Sequence, residues 1–184
     1  MQLRTERLVL RELEETDAAA ANAYERDPTV VRYTSHDVRT FEESLEYIRR
    51  SRKTLLESPR RVYDLAMTLA DTGRYIGRTG LHVTQPGQRE ATLWYIVEPG
   101  SWGRGYTTEA VRALLGLGFD TLGLHRVYLE CDARNAGSAR VAHKLGMRRE
   151  AHLRENLFLK GEWTDSLIFA ILEHEWRRER SNGV

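Results

Sequence analysis

The sequence predicts an α/β fold, a mixed α+β sheet, in one domain over residues 1–184. Two observations carry that expectation. Three strand-like runs, Arg61 to Ala70, Arg74 to Val83 and Arg89 to Val97, follow one another across the turns Asp71-Thr72-Gly73 and Gln85-Pro86-Gly87-Gln88, as antiparallel hairpins do. The third run then enters a strand–helix–strand unit, Arg89 to Val97, Thr108 to Leu122 and Arg126 to Cys131. The strands of such a unit lie parallel with a right-handed crossover. Hairpins and a parallel unit in one chain require a mixed sheet. Repeated βα units are missing, so the pattern is not a Rossmann fold.

Arg7 to Leu13 sets Leu8 and Leu10 against Arg7 and Arg11 and reads as the first strand. An alanine-rich helix follows to Tyr24, with Thr16 or Asp17 as its cap. Asp27-Pro28 ends it, because the residue before proline avoids the helical region. Val30 to Val38 reads as loop or broken helix. Thr40 and Glu43 form a capping-box pattern, and Phe41, Leu45, Ile48, Leu55 and Leu56 keep helical spacing, which predicts a helix over Phe41 to Leu56. Gly77 and Gly80 mark bulges or close approaches in their strand. Val127, Leu129 and Cys131 share one strand face. Asn135 to Leu145 is a short helix closed at Gly146. Arg149 to Leu159 and Glu162 to Leu172 are strands around Lys160-Gly161, and the polar tail from Glu173 is expected to fray. The order is β-α-α-β-β-β-α-β-α-β-β.

Composition narrows the function classes. With 41% hydrophobic and 30% charged residues the chain is an ordinary globular one. Lys+Arg 28 against Asp+Glu 27 leaves a formal charge of +1, which argues against a dedicated nucleic-acid binder. Cys131 is the only cysteine, so no intrachain disulfide forms and a reducing compartment suits the chain; the thiol reads as buried and structural. Met1 to Leu10 has no signal-peptide apolar core, and no apolar run is long enough for a bilayer. A cytoplasmic protein without membrane contact is expected. None of the six histidines forms an H-x-H or H-E-x-x-H pair, so no metal is expected. His82 stands apart, on a strand beside the presumed cleft; His125, His143, His152 and His174 read as surface or satisfied.

The stretch most suited to a ligand is Trp102-Gly103-Arg104-Gly105-Tyr106-Thr107-Thr108-Glu109, at the passage from strand to helix. Glycines let backbone approach a ligand without a Cβ in the way. The first amides of a helix lack internal partners and meet the positive end of its dipole. Together they suit a phosphate-bearing ligand. The G-K-[ST] ending of a Walker loop and the third glycine of a dinucleotide fingerprint are absent. A second set is Asn135-Ala136-Gly137-Ser138, followed by Lys144-Leu145-Gly146-Met147. Asn135 and Ser138 fit a helix cap, or an amide and a hydroxyl turned to a ligand.

The run from Trp102 to Ala110 resembles the acyl-CoA-binding motif R/Q-x-x-G-x-G/A of the GNAT acetyltransferase superfamily, and N-x-x-S followed by K-L-G-M resembles its next motif. The opening R-T-E-R-L-V-L-R and the late G-E-W-T-D-S resemble the branch of ribosomal-protein alanine N-acetyltransferases (RimJ/RimL-like). The likeness runs from Arg4 to Trp176. It departs at Trp102, where the motif has Arg or Gln, at Thr107, where it has Gly or Ala, and at Ala142, where many members carry a tyrosine acid.

The resemblance implies a GNAT-like acyl-CoA N-acyltransferase fold and direct transfer of acetyl from acetyl-CoA to a primary amine, either a peptide N-terminus or a small molecule. The amides of Gly103, Arg104, Gly105, Tyr106 and Thr107 would hold the pyrophosphate, with Trp102 beside them. The pantetheine arm would pair with a splayed strand at Ile96 and Val97, a bulge opening the splay. An amide near Ile96 would face the oxyanion. Asn135 would bind a ligand amide, and Ser138 would donate to the departing sulfur. The base is open among Glu12, Glu90, Glu130 and Asp165. Thr92 takes the place of the acid that relatives carry on this strand, and Glu90 shares its face. Trp94, Tyr95, Tyr33 and Trp163 are candidates to line the acceptor pocket. The alternative class is a catalytically weak CoA-binding sensor or interaction module of the same fold. An exposed last strand offers a homodimer contact.

Overall fold

The computed structural model describes residues 1–181. Eight strands form one sheet: β1 (Gln2–Arg4), β2 (Leu8–Glu12), β3 (Val62–Leu69), β4 (Tyr75–Gln85), β5 (Glu90–Val97), β6 (Arg126–Asp132), β7 (Arg148–Leu159) and β8 (Glu162–Leu172). Their spatial order is β1-β2-β3-β4-β5-β6-β8-β7, and only β5 and β6 pair in parallel. The helices are α1 (Ala18–Glu25), α2 (Pro28–Val31), α3 (Phe41–Lys53), α4 (Tyr106–Gly116), α5 (Ala136–Lys144) and α6 (Glu173–Ser181). The predicted mixed sheet and its parallel unit are present. No helix is long and apolar enough to cross a membrane.

Period-two alternation puts two apolar faces on the central strands. One face, with Leu10, Leu65, Leu81, Leu93 and Val127, buries against Val111, Leu114 and Leu115 of α4. The other, with Ala66 and Ile96, buries against Ala18 and Ala21 of α1 and Ile48 of α3. Glycines permit the closest approaches. A Cβ on Gly80 would fall 2.3 Å from Trp94 Nε1, and one on Gly77 would fall 2.5 Å from the Ile96 carbonyl oxygen.

Several expectations are corrected at the element ends. Gln2–Arg4 is a further strand, paired with β2. Asp17 does not cap α1; its carboxylate accepts from the Glu14 amide at 2.8 Å and from Arg11 at 2.7 and 2.8 Å. Pro28 opens α2, with Asp27 accepting from the Thr29 amide at 2.8 Å. Proline suits that first helical position because its amide would lack a partner there. The Thr40–Glu43 capping box forms as expected, and a 3₁₀ turn, Thr54–Leu56, finishes α3. A π turn, Leu117–Thr121, extends α4. The described part of the tail is a helix, α6, rather than frayed: Trp176 is buried and stacks on Phe119 at 6.0 Å, and residues 182–184 lie outside the described residues. One tryptophan at helical spacing outweighs a polar run. The last described strand, β8, lies inside the sheet, so the edges available to another chain are β7 and β1.

Candidate active site

The glycine-rich stretch stands at the outer end of β5. Gly103 and Gly105 have φ of +72° and +82°, a region that glycine enters without strain. Gly105 is the N-cap of α4, and no side chain caps that end. The first intrahelical bond runs from the Glu109 amide to the Gly105 carbonyl, 3.0 Å. The amides of Gly105, Tyr106, Thr107 and Thr108 precede that bond, so the helix itself leaves them unused. Thr108 joins the expected set, which had stopped at Thr107.

What holds this stretch comes from the other end of the chain. Arg7 donates from Nη1 to the Arg104 carbonyl at 3.0 Å and from Nε to Glu109 Oε2 at 2.7 Å. Its guanidinium lies 4.7 Å over the Tyr106 ring. The Arg7 amide and the Thr5 hydroxyl both donate to Glu109 Oε1, at 2.8 and 2.6 Å. Burial opposes the charge on Glu109, but these bonds outweigh it and hold the carboxyl below its ordinary range. The opening R-T-E-R is therefore a clamp on the loop, a role that only the folded chain reveals.

Inward from the loop the sheet divides. β5 pairs with β6 only from Glu90↔Arg126 to Thr92↔Tyr128. Beyond that, β5 continues to Val97 against β4, and β6 continues to Asp132 against β8. No bulge lies within β5; the irregularities on its side of the sheet are at Met67/Thr68 and Val83/Gln85. The splay thus arises without the bulge expected for it. The Glu98 amide bonds the Ile76 carbonyl at 2.9 Å, which fixes the alternation of bonded pairs along β4 and β5. Ile96 turns its amide to β4, while Tyr95 and Val97, beyond the β6 pairing, turn theirs to the gap. Among the amides near Ile96, those of Tyr95 and Val97 therefore face the gap, and that of Ile96 itself is spent on the sheet. The Val97 carbonyl accepts from Trp102 Nε1 at 2.8 Å.

Ser138 spans the gap from behind. Its hydroxyl shares a 2.7 Å hydrogen bond with the Tyr95 hydroxyl of β5 and also meets the Cys131 thiol of β6. Burial pushes both Tyr95 and Cys131 up. Asn135 is a cap: its Oδ1 accepts from the Ser138 amide at 3.0 Å. The cap reading therefore holds for Asn135, while the buried Ser138 hydroxyl remains turned to Tyr95 and the splay.

A loop of free amides, a splayed parallel pair and a buried hydroxyl across the gap invite comparison with known acyltransferases. Residues 7–148 match the model of the Acetyltransferase (GNAT) domain. The chain belongs to the GNAT acetyltransferase family. It is an acyltransferase, and several of its relatives are named N-acetyltransferases. It is 31% identical over 176 residues to the Bacillus subtilis (strain 168) protein named "Uncharacterized N-acetyltransferase YnaD", covering 96% of this chain and 99% of that one. The spermidine N(1)-acetyltransferase of Escherichia coli (strain K12) is 29% identical over 91 residues, half of this chain and 49% of its own. Among solved structures, a GNAT-family acetyltransferase from Bacillus anthracis superposes with a TM-score of 0.85 at 28% identity, covering 95% of this chain and all of that one.

Within this GNAT fold the candidate carboxylates separate. Glu90 is paired to Arg126 at 2.6 Å at the closed end of the splay. It stands roughly 20 Å along the strand from Ile96 at ~3.3 Å per residue. Glu12 is bound by Arg60 at 2.7 Å, and Asp165 by His152 at 2.7 Å and the Glu155 amide at 2.9 Å. Glu130, exposed, meets the Asn156 amide nitrogen at 3.5 Å and no other hydrogen-bond partner among the described residues.

The face toward α1 and α3 carries a polar network. Arg78, buried between the Tyr47 ring at 3.9 Å and the Trp94 ring at 5.4 Å, pairs with buried Glu25 at 2.6 Å. Beside it, Asp64 accepts from the Tyr47 hydroxyl at 2.9 Å and contacts His82 Nε2 at 2.5 Å. Of the four aromatic candidates, Trp94 lies on this face and Tyr95 on the opposite one. Trp163 is exposed and packs on Phe158, and Tyr33 lies under Arg32 and Arg134. No group of three or more metal-ligating side chains forms among the described residues.

Proposed function

We propose that this GNAT protein transfers acetyl from acetyl-CoA to a primary amine, in the manner of the RimJ/RimL-like branch, by direct attack through a tetrahedral intermediate. The observation that carries the proposal is the splay of β5 from β6 between the α4 N-terminus and Ser138. The pyrophosphate suits the amides of Gly103 to Thr108. The peptide-like pantetheine arm suits the gap-facing backbone of Val97 and Tyr95. The thioester would then lie beside Ser138.

The chemistry follows from what each group offers. The amine attacks the thioester carbon, a C–N bond forms, and the carbonyl oxygen becomes negative. A gap-facing amide of β5 is placed to stabilise that charge. On collapse the C–S bond breaks, and the thiolate leaves next to the Ser138–Tyr95 hydroxyl pair, which donates to sulfur. An acceptor α-amine has a pKa near ~8, a lysine side chain ~10.4. The first needs little help to become neutral at pH 7 and the second much more. Both a peptide N-terminus and a small amine meet these demands.

The test is release of free CoA thiol from acetyl-CoA with a panel of N-terminal alanine and serine peptides and spermidine. Turnover with one class supports the reading and selects the acceptor. Retained CoA binding with no turnover on any acceptor would instead support a CoA sensor.

A further inference from the structure

The sheet face turned to α1 and α3 holds a polar set, Asp64, His82 and Trp94, that the reaction leaves idle. His82 of β4 lies in register with Thr92 of β5, and Thr92 with Tyr128 of β6, the last pair before the splay opens. His82 and Trp94 lie on the face turned to α1 and α3, and about a third of the His82 side chain is exposed (34%). Its Nε2 lies 2.5 Å from Asp64 Oδ1, and Asp64 is buried and fixed from the other side by Tyr47 at 2.9 Å.

The Nε2 edge of the ring is occupied: it lies 2.5 Å from Asp64 Oδ1 and 3.0 Å from the Trp94 indole N–H. Nδ1 has no hydrogen-bond partner among the described residues. In the tautomer with its hydrogen on Nε2, aimed at the Asp64 carboxylate, the Nδ1 lone pair is open; in the other, Nε2 accepts from Trp94. The groups against the ring are Asp64 from β3 and Trp94 from β5; behind them, Tyr47 from α3 bonds Asp64 and Arg78 lies against Trp94. Thr92, the β5 neighbour, does not titrate.

We infer that His82 is the proton acceptor for the incoming amine, with Asp64 as the residue that positions its ring. The inference rests on the transferase reading above. The acceptor arrives as an ammonium and gives one proton to His82 Nδ1, which later passes it to solvent. The freed lone pair attacks the thioester carbon. The intermediate then loses its second nitrogen proton as the C–S bond breaks, and the departing sulfur gains one. The net products are the amide, CoA thiol and one proton.

Two measurements test this. Nitrogen NMR on the histidine-labelled protein should show His82 protonated at Nε2 and bare at Nδ1 at neutral pH. The reverse tautomer overturns the role. Thiol release is then followed in the wild type and in His82→Gln, whose amide nitrogen can still donate to Asp64. The acceptors are spermidine, an N-terminal alanine peptide and hydroxylamine, which is already neutral at pH 7. His82→Gln should lose about 100-fold in kcat/KM with the protonated amines, a general base's usual share. The loss should shrink as pH rises toward the amine's pKa, and the hydroxylamine rate should hold. Equal losses on all acceptors, no loss at all, or a loss in Glu130→Gln with His82→Gln intact each overturn it. A wild type inactive on every acceptor overturns the transferase reading itself and the His82 role with it.

Discussion

Tyr95 and Ser138 share a hydrogen bond of 2.7 Å between hydroxyls carried by β5 and by the first turn of α5. Because Asn135 supplies the cap through the Ser138 backbone amide, the Ser138 side chain can be removed without uncapping the helix. Ser138→Ala should lower kcat by about 100-fold, the range of one positioned proton donor, with little change in acetyl-CoA affinity. That split marks a contact made in the transition state. Steady-state kinetics beside calorimetry checks it, and an unchanged kcat would leave Ser138 as packing alone.

Gly105 is strained for any other residue at φ +82°, and its Cβ would meet Arg7 Nη2 at 3.4 Å. Gly105→Glu adds a carboxylate where phosphate is expected. Loss of CoA binding by calorimetry, with the melting transition retained, is the expected outcome. Full affinity in this variant would remove the phosphate assignment.

The Glu109 clamp predicts a pH signature. Its carboxyl is lowered in the fold, so the contribution is fully present above the unfolded-chain value of about 4.3 and is lost as pH falls through the folded value. Glu109→Gln should therefore melt below the wild type at pH 7. The gap should close as both proteins are acidified. A constant gap in Tm would mean that the charge is not what Arg7 and Thr5 hold.

Glu25 and Arg78 are both buried, and Arg39 lies 3.3 Å from Glu25 on its other side. Burial alone would lower the Arg78 pKa, but Tyr47 and Glu25 outweigh it and keep the guanidinium charged. Glu25→Gln leaves two arginines facing each other without their carboxylate. It should cost about 3–5 kcal/mol in urea unfolding, as breaking a buried pair does. A loss below about 1 kcal/mol, the scale of an exposed pair, would show that water reaches the site.

Much of this was legible in the sequence because it rests on local rules. Hairpin turns, the Thr40–Glu43 box and the Gly103/Gly105 turn are settled by neighbours a few residues apart, and the parallel unit follows from chain handedness. What escaped depends on distant partners. Arg7 gives no sign in sequence that it reaches Arg104 and Glu109, and Asp64 none that it meets His82. Glu90 looked equivalent to other carboxylates until register placed it against Arg126. Which amide near Ile96 faces the gap was not legible, because the direction of a strand amide follows from pairing parity, which the side chains do not encode. The tail was misread because composition averaged Trp176 into a polar run.

The three-residue junction of β5 with β6 has a mechanical consequence. It joins one half-sheet, β1 to β5, to another, β6 to β8, by a narrow isthmus, with Ser138 as a rivet at the open end. Tension applied across the sheet would concentrate at this seam. A ligand whose backbone-like arm lies in the gap would work as a ninth strand and spread that load. Occupancy should then raise the force needed to separate the halves, so that the tightness of the seam becomes a gauge of binding.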